Sequence, residues 1–297
     1  MPPSPPPESR TIAQHGDYEC RTLDLSPAGI DAMSRLLRTV FPHAAHLTPA
    51  YLDWLYDQNP AGRALGWNAC LDGELVGHYV LIPLRARLFG AEARGAHSLN
   101  GAVHPDHQGR RLYARLGELA HASAREAGFE FLIGVPNANS THVFVRTFGF
   151  QLVGPLQARV GLGPIARDEA EQPVDYARVW DGDNVRWRLA NPTTRYTLSR
   201  RGERCEVRAP TGRPGIHALV GFVDPAFAPP GLGAPAPGLD LFIGADPALR
   251  WSRSLYVNLP MRLRPAPLNF VFKDLTGRDR RIDPGRLRYA SLDFDPY

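Results

Sequence analysis

The sequence predicts a mixed α/β fold, in which helices alternate with the strands of a central sheet. Three observations support this prediction. Asp72-Gly73 lies between two segments that are expected to be strands, and an Asp-Gly pair in that position is typical of a β-hairpin turn. The stretch FEFLIGV (129–135) is short and almost wholly apolar, as strands buried on both faces are. Between these features, RLYARLGELAHASAREAG (111–128) has helical periodicity and ends at a glycine.

The elements before the hairpin are marked by alternation and by capping residues. YECRTLDL (18–25) alternates as a strand does. Ser26-Pro27 starts a helix, because the hydroxyl caps free amides and proline suits the first helical position. A second helix, TPAYLDWLYDQN (48–59), is expected to stop before Pro60, since the residue preceding a proline is driven out of the helical region.

The elements from the hairpin onward complete the predicted domain. The hairpin strands lie within ALGWNACLDGELVGHYVLIPLRARL (64–88), and ARGAHSLNGAV (93–103) is a further strand. After FEFLIGV, NANSTHVFVRTFGF (137–150) is expected to be helical, and QLVGPLQARVGL (151–162) to form one apolar strand.

Composition limits the class of protein. The chain has 297 residues, of which 43% are hydrophobic, enough for one large domain or two ordinary ones. The net charge is +4 and the basic residues are scattered, so we expect no nucleic-acid interface. Cys20, Cys70 and Cys205 are far apart and odd in number, which favours a cytoplasmic protein without a bound metal or disulfide framework.

No stretch approaches the roughly 20 apolar residues of a membrane span. The Pro-rich residues 1–16 are expected to be a disordered tail.

The segment VHPDHQGRRLYARL (103–116) suggests an anion site. A strand that ends at Val103-His104-Pro105 and turns through Gln-Gly-Arg-Arg into a helix leaves several backbone N–H groups without partners. Free amides and the helix dipole favour a bound pyrophosphate, and Arg110 and Arg111 would add positive charge.

This segment resembles the acyl-CoA-binding motif of the GNAT acetyltransferase superfamily, whose pattern is Gln/Arg-x-x-Gly-x-Gly/Ala. Gln108 and Gly109 match the start of the pattern, whereas Arg111 stands at the second glycine and Tyr113 at the last small residue. The resemblance implies a mixed central sheet flanked by helices, with acetyl-CoA as co-substrate. We interpret Arg111 as an ordinary first-turn helical residue, which needs no positive φ and contributes a cation.

The resemblance also implies which residues contact the cofactor. The loop would bind the CoA pyrophosphate and the preceding strand the pantetheine arm. A later segment, GVPNANSTHVFVRTFGF (134–150), would lie beside the cysteamine end, although its asparagines and Ser140 are equally suited to capping the next helix. The implied cofactor-binding residues are Ala102, Val103, Gln108, Gly109, Arg110, Arg111, Leu112, Tyr113, Asn137 and Asn139.

Candidate catalytic residues come partly from this resemblance and partly from the residues themselves. In the superfamily a tyrosine four residues before the glycine of the GF pair often protonates the leaving thiolate, but Val145 stands there. Tyr113 is the phenol best placed to replace it. His97, on the strand entering the site, has a suitable ordinary pKa for a base. The N–H near Ala102 or Val103 is the candidate oxyanion donor.

An internal repeat predicts two lobes. DWLYDQNPAG (53–62) is echoed by RWRLANPTTR (186–195), and FEFLIGVPNAN (129–139) by LDLFIGADPAL (239–249). After IHALVGFVDP (216–225) the second copy has a proline- and glycine-rich segment in place of the loop and helix. We therefore predict an N-terminal GNAT domain at 17–166 and a degenerate GNAT-like domain at 175–297.

Three functions are compatible with these features. The first is an acetyl-CoA-dependent N-acyltransferase, monomeric or homodimeric, acting on a small amine such as an amino sugar. The second is a catalytically inactive GNAT-like binding protein. The third is a tRNA-dependent peptidoglycan-bridge type of transferase, which has paired lobes but lacks a CoA loop, so Gln108-Gly109 argues against it. The first is the preferred hypothesis.

Overall fold

The protein is described by a computed structural model. It describes residues 11–168, 172–201, 203–229, 232–233, 237–260, 262, 264 and 268–294. The chain divides into two compact units. The first contains the residues up to Pro83 together with Ala96–Phe129, and the second contains Leu84–Gly95 together with the residues from Glu130 onward.

The first unit contains an antiparallel sheet and three helices. Its strands follow the order β1-β2-β3-β4-β5, and the far ends of the β4–β5 hairpin belong to the second unit. The elements are β1 Thr11–His15, β2 Tyr18–Thr22, α1 Pro27–Val40, α2 Pro49–Tyr56, β3 Leu65–Leu71, β4 Glu74–Leu88, β5 Ala91–Val103 and α3 Leu112–Glu126.

Local sequence signals explain where these elements begin and end. The Ser26 hydroxyl accepts a hydrogen bond from the Gly29 amide at 3.2 Å and so caps α1, as predicted. Asp72 and Gly73 have φ of 50° and 84°, the left-handed pair that a two-residue hairpin turn requires. α2 ends at Tyr56, earlier than Pro60 alone would require.

The second unit is mostly β-structure. A π-helix at Val143–Thr147 follows its first helix. The elements are β6 Phe131–Gly134, α4 Ala138–His142, β7 Gln151–Pro155, β8 Gln157–Leu162, β9 Tyr176–Arg178, α5 Gly182–Leu189, β10 Thr197–Arg201, β11 Arg204–Pro210, β12 Ile216–Val223, β13 Leu239–Ala245, β14 Leu255–Asn258, β15 Asn269–Asp274 and β16 Leu287–Ala290.

The sheet of the second unit is mixed. β10, β11 and β12 are antiparallel neighbours, whereas β12 and β13 run parallel. β13 also pairs antiparallel with β8 and with β16. β15 lies between β6 and β7. Aromatic side chains form the core of this unit, including Phe131, Tyr176, Phe270, Phe272 and Tyr289. The mixed α/β prediction is confirmed.

Two details of the prediction were wrong. The segment 151–162 is two strands rather than one, because the chain leaves the ladder at Leu156, whose amide donates to the Leu268 carbonyl at 2.8 Å. β7 therefore pairs with β15 and β8 with β13 and β14. The predicted tail also extends too far. Residues 1–10 lie outside the described residues, but Thr11–His15 pair with β2 as a strand.

The repeated segments have matching local structure. Trp54 on α2 and Trp187 on α5 are both buried. In the Asn-Pro pair after each helix, the asparagine Oδ1 accepts an amide two residues on, at 3.0 Å for Asn59 and 2.8 Å for Asn191. The compact units differ from the predicted lobes, because residues of 130–166 pair with C-terminal strands, as β8 does with β13. The predicted lobes, 17–166 and 175–297, follow from the sequence repeat, and their boundaries do not coincide with those of the compact units.

Candidate active site

The predicted anion loop connects β5 to α3 in the first unit. β5 ends at Val103, a 3₁₀ turn covers Pro105–His107, and α3 begins at Leu112. The Gln108 side chain bends back, since its Nε2 donates to the Val103 carbonyl at 3.2 Å. Gly109 has a φ of 75°, a left-handed conformation that glycine adopts at little cost. The Gln108-Gly109 start of the motif thus shapes the turn.

The structure corrects the interpretation of Arg111. We expected an ordinary helical residue, but Arg111 is the N-cap of α3 with a φ of 59° and ψ of 14°. Non-glycine residues seldom adopt this left-handed region. The conformation explains why a glycine suits this position of the motif. The Arg111 side chain is exposed and makes no capping hydrogen bond, so the first amides of α3 are not capped by it.

The loop is fixed by the β1–β2 hairpin. His15 Nε2 lies 2.9 Å from the Arg110 carbonyl oxygen. The Arg110 guanidinium donates to the Tyr18 hydroxyl at 2.8 Å, and that hydroxyl lies 3.0 Å from His107 Nδ1. These contacts join residues 89 to 95 positions apart, so no local sequence pattern could have indicated them.

The resulting surface suits an anionic diphosphate. The first amides of a helix have no partner within the helix, and the helix dipole is positive at that end. α3 has 15 residues, enough for a substantial dipole. Arg110 is engaged with Tyr18, whereas Arg111, the residue that precedes these amides in the chain, is exposed. The loop therefore offers amide donors and a cation together.

The strand before the loop is bent at Asn100. This residue has a φ of 54° within β5, which interrupts the regular extended backbone. Ala102 and Val103, the predicted contacts for the pantetheine arm, follow the bend and are buried. A bent strand leaves backbone groups unpaired in the sheet, and such groups are available to a ligand.

A buried hydrogen-bond chain fixes the bend, and sequence analysis missed it. Asn100 Nδ2 donates to the Tyr56 hydroxyl at 3.3 Å, and that hydroxyl lies 3.1 Å from His78 Nε2. His78 Nδ1 lies 2.7 Å from Asn68 Oδ1. This arrangement fits a neutral imidazole that donates to Asn68 and accepts from Tyr56. The only sign of it in the sequence is that His78 stands in a mostly apolar stretch of β4.

The burial of His78 leads us to predict how the free energy of unfolding depends on pH. Burial lowers its pKa to about 3, from an ordinary 6.5. Above pH 6.5 both folded and unfolded chains carry neutral imidazole, so the group has no effect. Below 6.5 only the unfolded chain takes up the proton, which lowers the free energy of unfolding by about 1.4 kcal/mol per pH unit. Between pH 7.5 and 5.0 this amounts to about 2 kcal/mol.

Urea unfolding at pH 7.5 and 5.0 measures this loss. His78→Gln keeps hydrogen-bonding atoms but does not titrate. We expect the wild type to lose about 2 kcal/mol more than the variant on acidification. Equal losses in the two proteins would show that His78 does not resist protonation.

Tyr113 lies against the bent strand. A Cβ on Gly101 would come within 2.9 Å of the Tyr113 hydroxyl, so a glycine is needed there. The Tyr113 and Tyr79 rings meet edge to face, with centroids 5.3 Å apart. The Tyr79 hydroxyl in turn lies 3.1 Å from Nε2 of His121, which is on α3. Burial raises the pKa of Tyr113, so its phenol keeps its proton at neutral pH.

His97, the other predicted catalytic residue, is buried in β5. Its neighbour Ser98 donates to the Tyr79 hydroxyl at 2.8 Å. Because side chains alternate along a strand, His97 points to the face opposite Ser98. That is the face on which His78 meets Tyr56, whereas Tyr113 contacts the face of Tyr79. The two predicted catalytic side chains therefore lie on different faces of the sheet.

The remaining predicted residues belong to the second unit. Asn137 caps α4, because its Oδ1 accepts the Ser140 amide at 3.0 Å. The side chain of Asn139 lies outside what the structure describes. Val145 lies in the π-helix, next to Phe144, which packs edge to face on Phe150 at 5.1 Å. The capping role of Asn137, one of the two alternatives, is therefore present.

A cavity of about 470 Å³ opens in the first unit between α1 and the β3–β4 hairpin. Asn68, the last member of the buried chain, contributes to its wall. The wall carries both signs of charge, from Arg21, Asp24, Arg35 and Glu74. A cavity of this volume is within the usual range of small-molecule sites.

Within the described ranges, no three His, Cys, Asp or Glu side chains lie close enough together to hold a metal ion. Of the helices that the structure describes, none combines the length and the apolar character that crossing a bilayer demands.

The comparison with protein families agrees with the motif. Residues 22–153 match the family model described as "Acetyltransferase (GNAT) domain". No curated protein matches the chain in sequence.

Solved structures show the same fold. A GCN5-related N-acetyltransferase from Kribbella flavida is 13% identical and has a TM-score of 0.56, covering 89% of this chain and 73% of that one. One from Anabaena variabilis is 9% identical with a TM-score of 0.58, covering 86% and 72%. Saccharomyces cerevisiae N-myristoyltransferase with bound myristoyl-CoA is 9% identical with a TM-score of 0.52, covering 72% and 68%. Residues 22–153 therefore match the GNAT acetyltransferase family, and the chain shares the fold of these solved structures.

Proposed function

We propose that the protein is an N-acetyltransferase, which transfers the acetyl group of acetyl-CoA to the amine of a small molecule by direct attack in a ternary complex. The observation that supports this most strongly is the Gln108–Arg111 loop. It presents the uncapped amides of a 15-residue helix beside an exposed guanidinium. Amides, dipole and cation are the features that a diphosphate requires.

The chain's residues have distinct roles in this proposal. Acetyl-CoA supplies an activated acyl group as a thioester. Gly109 to Leu112 hold its diphosphate, and the amides near Ala102 and Val103 stabilise developing negative charge on the carbonyl oxygen. Tyr113, whose phenol is protonated at neutral pH, provides the proton for the leaving sulfur. Positioning supplies much of the rest of the rate enhancement.

His97 is the proposed base that removes the proton from the attacking amine. Because the amine attacks and the sulfur leaves at the same carbonyl carbon, His97, on the face opposite Tyr113, is proposed to remove this proton through water and not directly. The fixed bend at Asn100 lies three residues further along the same strand. Asn137 is assigned a capping role, and contact with the cofactor is a second proposed role for it and for Asn139.

The acceptor is proposed to be an amino sugar or a similar small polar amine. The 470 Å³ cavity offers Asp24 and Glu74 for an ammonium group and Arg21 and Arg35 for hydroxyl oxygens. In this proposal residues 17–166 catalyse the reaction, and 175–297 are a degenerate GNAT-like lobe. We further propose a cytoplasmic enzyme, monomeric or homodimeric, without a metal ion.

The proposal is tested by measuring free thiol released from acetyl-CoA in the presence of a panel of amino sugars and polyamines. We expect amine-dependent release with at least one amino sugar, and a product whose mass is increased by one acetyl group. If acetyl-CoA binds but no amine stimulates release, the chain is a binding protein of the GNAT fold. Val145, at the usual position of the acid, is the feature that would favour that outcome.

A further inference from the structure

A second candidate site lies wholly in the second unit, where two parallel strands separate. β12 and β13 pair from Ile216–Leu239 to Leu219–Phe242. Beyond this point β12 continues to Val223 and β13 to Ala245. A cavity of about 210 Å³ is lined by the ends of both strands, including Gly221, Phe222, Phe242 and Ala245. Separating parallel strands commonly form the wall of a ligand site.

The cavity is rich in guanidinium groups. Four arginines line it, which are Arg167, Arg178, Arg204 and Arg288. Two carboxylates face them, Asp246 and Asp293, so the described lining has two more positive than negative side chains. The Asp246 carboxylate already forms ion pairs with two of these arginines, since Arg167 Nη1 lies 2.9 Å and Arg288 Nε 3.4 Å from its oxygens. The cavity therefore has an excess of positive charge.

Arg178 has buried donors that are not satisfied by the described residues. Its Nη1 donates to the Asp293 carbonyl at 2.8 Å, and its guanidinium lies 4.5 Å from the ring centroid of Trp180. Its Nε and Nη2 are buried and meet no hydrogen-bond acceptor in the part of the chain that the structure describes. Burial, with the nearby charge of Arg188, lowers the pKa of Arg178 to about 10, so it stays protonated at neutral pH.

A neighbouring arginine shares this feature. Arg167 Nε is buried and lacks an acceptor among the described residues, and the buried Arg288 Nε has a poorly aligned contact with an Asp246 oxygen at 3.4 Å. Buried donors without acceptors each cost about 1–3 kcal/mol, so native proteins rarely leave several in one cavity. The Asp293 carboxylate accepts the Trp180 Nε1–H and the Ala290 amide, and it makes no hydrogen bond with Arg178 Nε or Nη2.

We propose that this cavity binds a small oxyanion, a phosphate or a carboxylate, between Arg178, Arg167 and Arg288, with Arg204 at the rim. A planar guanidinium presents paired donors that match two oxygens of one anion. The volume suits a small anion rather than a nucleotide, and Phe222 and Phe242 provide an apolar wall for a short substituent. The site is distinct from the acyl-CoA loop, whose residues belong to the first unit.

Calorimetric titration of the full chain with inorganic phosphate, and separately with malonate, at constant ionic strength tests the proposal. Arg204→Gln and Arg288→Gln each remove one cation. Arg204 is exposed, so its loss spares the fold. Arg213→Gln is the matched control, since Arg213 is exposed in the same unit and is not among the residues lining the cavity. Gly109→Asp disables the proposed diphosphate loop, which could itself bind phosphate.

We expect saturable binding of at least one anion, with a dissociation constant of about 1 mM or lower. Arg204→Gln and Arg288→Gln should weaken it about fivefold or more, whereas Arg213→Gln and Gly109→Asp should leave it unchanged. Preference for phosphate or malonate identifies the class of anion. Absence of saturable binding would overturn the proposal. So would binding that Gly109→Asp abolishes and Arg204→Gln does not, because the anion would then occupy the acyl-CoA loop.

Discussion

Tyr113→Phe is expected to lower kcat about a hundredfold and to leave the KM for acetyl-CoA within about twofold. The phenol is the proposed proton donor, and it is protonated at neutral pH. Phenylalanine preserves the ring contact with Tyr79 at 5.3 Å and the fit against Gly101. The substitution therefore removes the proton but not the packing, and the effect should be confined to the chemical step.

Steady-state kinetics with the best amine from the panel measure this change. Tyr51→Phe is the matched control, because it removes a buried hydroxyl from α2 in the same unit. Its kcat should be close to that of the wild type. A Tyr113→Phe enzyme with unchanged kcat would mean that Tyr113 serves only to pack α3 against the sheet.

Arg208→Ala is expected to destabilise the second unit by about 3–5 kcal/mol. Arg208 is buried and forms a bidentate pair with Asp240, with both donor–acceptor distances 2.8 Å. It also donates to Glu206 at 2.7 Å and to Ser199 at 2.8 Å. Burial lowers the pKa of Arg208, but the hydrogen bonds to Asp240 and Glu206 more than offset this, so its pKa is raised overall.

The cost arises from the partners that are left behind. Without Arg208, Asp240 retains the hydroxyl of Tyr256 at 3.2 Å, but its buried charge loses its cation. Urea unfolding followed by tryptophan fluorescence measures the loss. Arg213→Ala, which removes an exposed arginine of the same unit, should change stability by less than about 0.5 kcal/mol. Equal stability of the two variants would contradict this account of the buried network.

Local chemistry made the first unit predictable. Ser26-Pro27 and Asp72-Gly73 act within a few residues, so their cap and turn could be inferred from the sequence and are confirmed. The Gln108-Gly109 motif likewise indicated the loop. The break within 151–162 was missed because the segment is apolar on both sides of it, and the break at Leu156 depends on a contact with Leu268, far away in sequence.

The interior of the candidate site was harder to predict. Tyr56 and Asn100 are 44 residues apart, and only the fold brings them together to fix the bend in β5. Similarly, Arg208 and Asp240 are 32 residues apart. Arg111 was misjudged because a backbone conformation cannot be inferred from a side chain that adopts it only rarely.

The central claim is that the loop at Gly109 binds the diphosphate of acetyl-CoA. Gly109→Asp and Gly109→Asn form a matched pair, because both residues tolerate the left-handed φ of 75° and a Cβ there meets open space. Only the aspartate adds a negative charge.

Titration calorimetry with acetyl-CoA tests this claim most directly. We predict a dissociation constant on the order of micromolar for the wild type, a value within about threefold of it for Gly109→Asn, and binding at least about tenfold weaker for Gly109→Asp. Absence of binding to the wild type, or equal affinity of the two variants, would contradict the account.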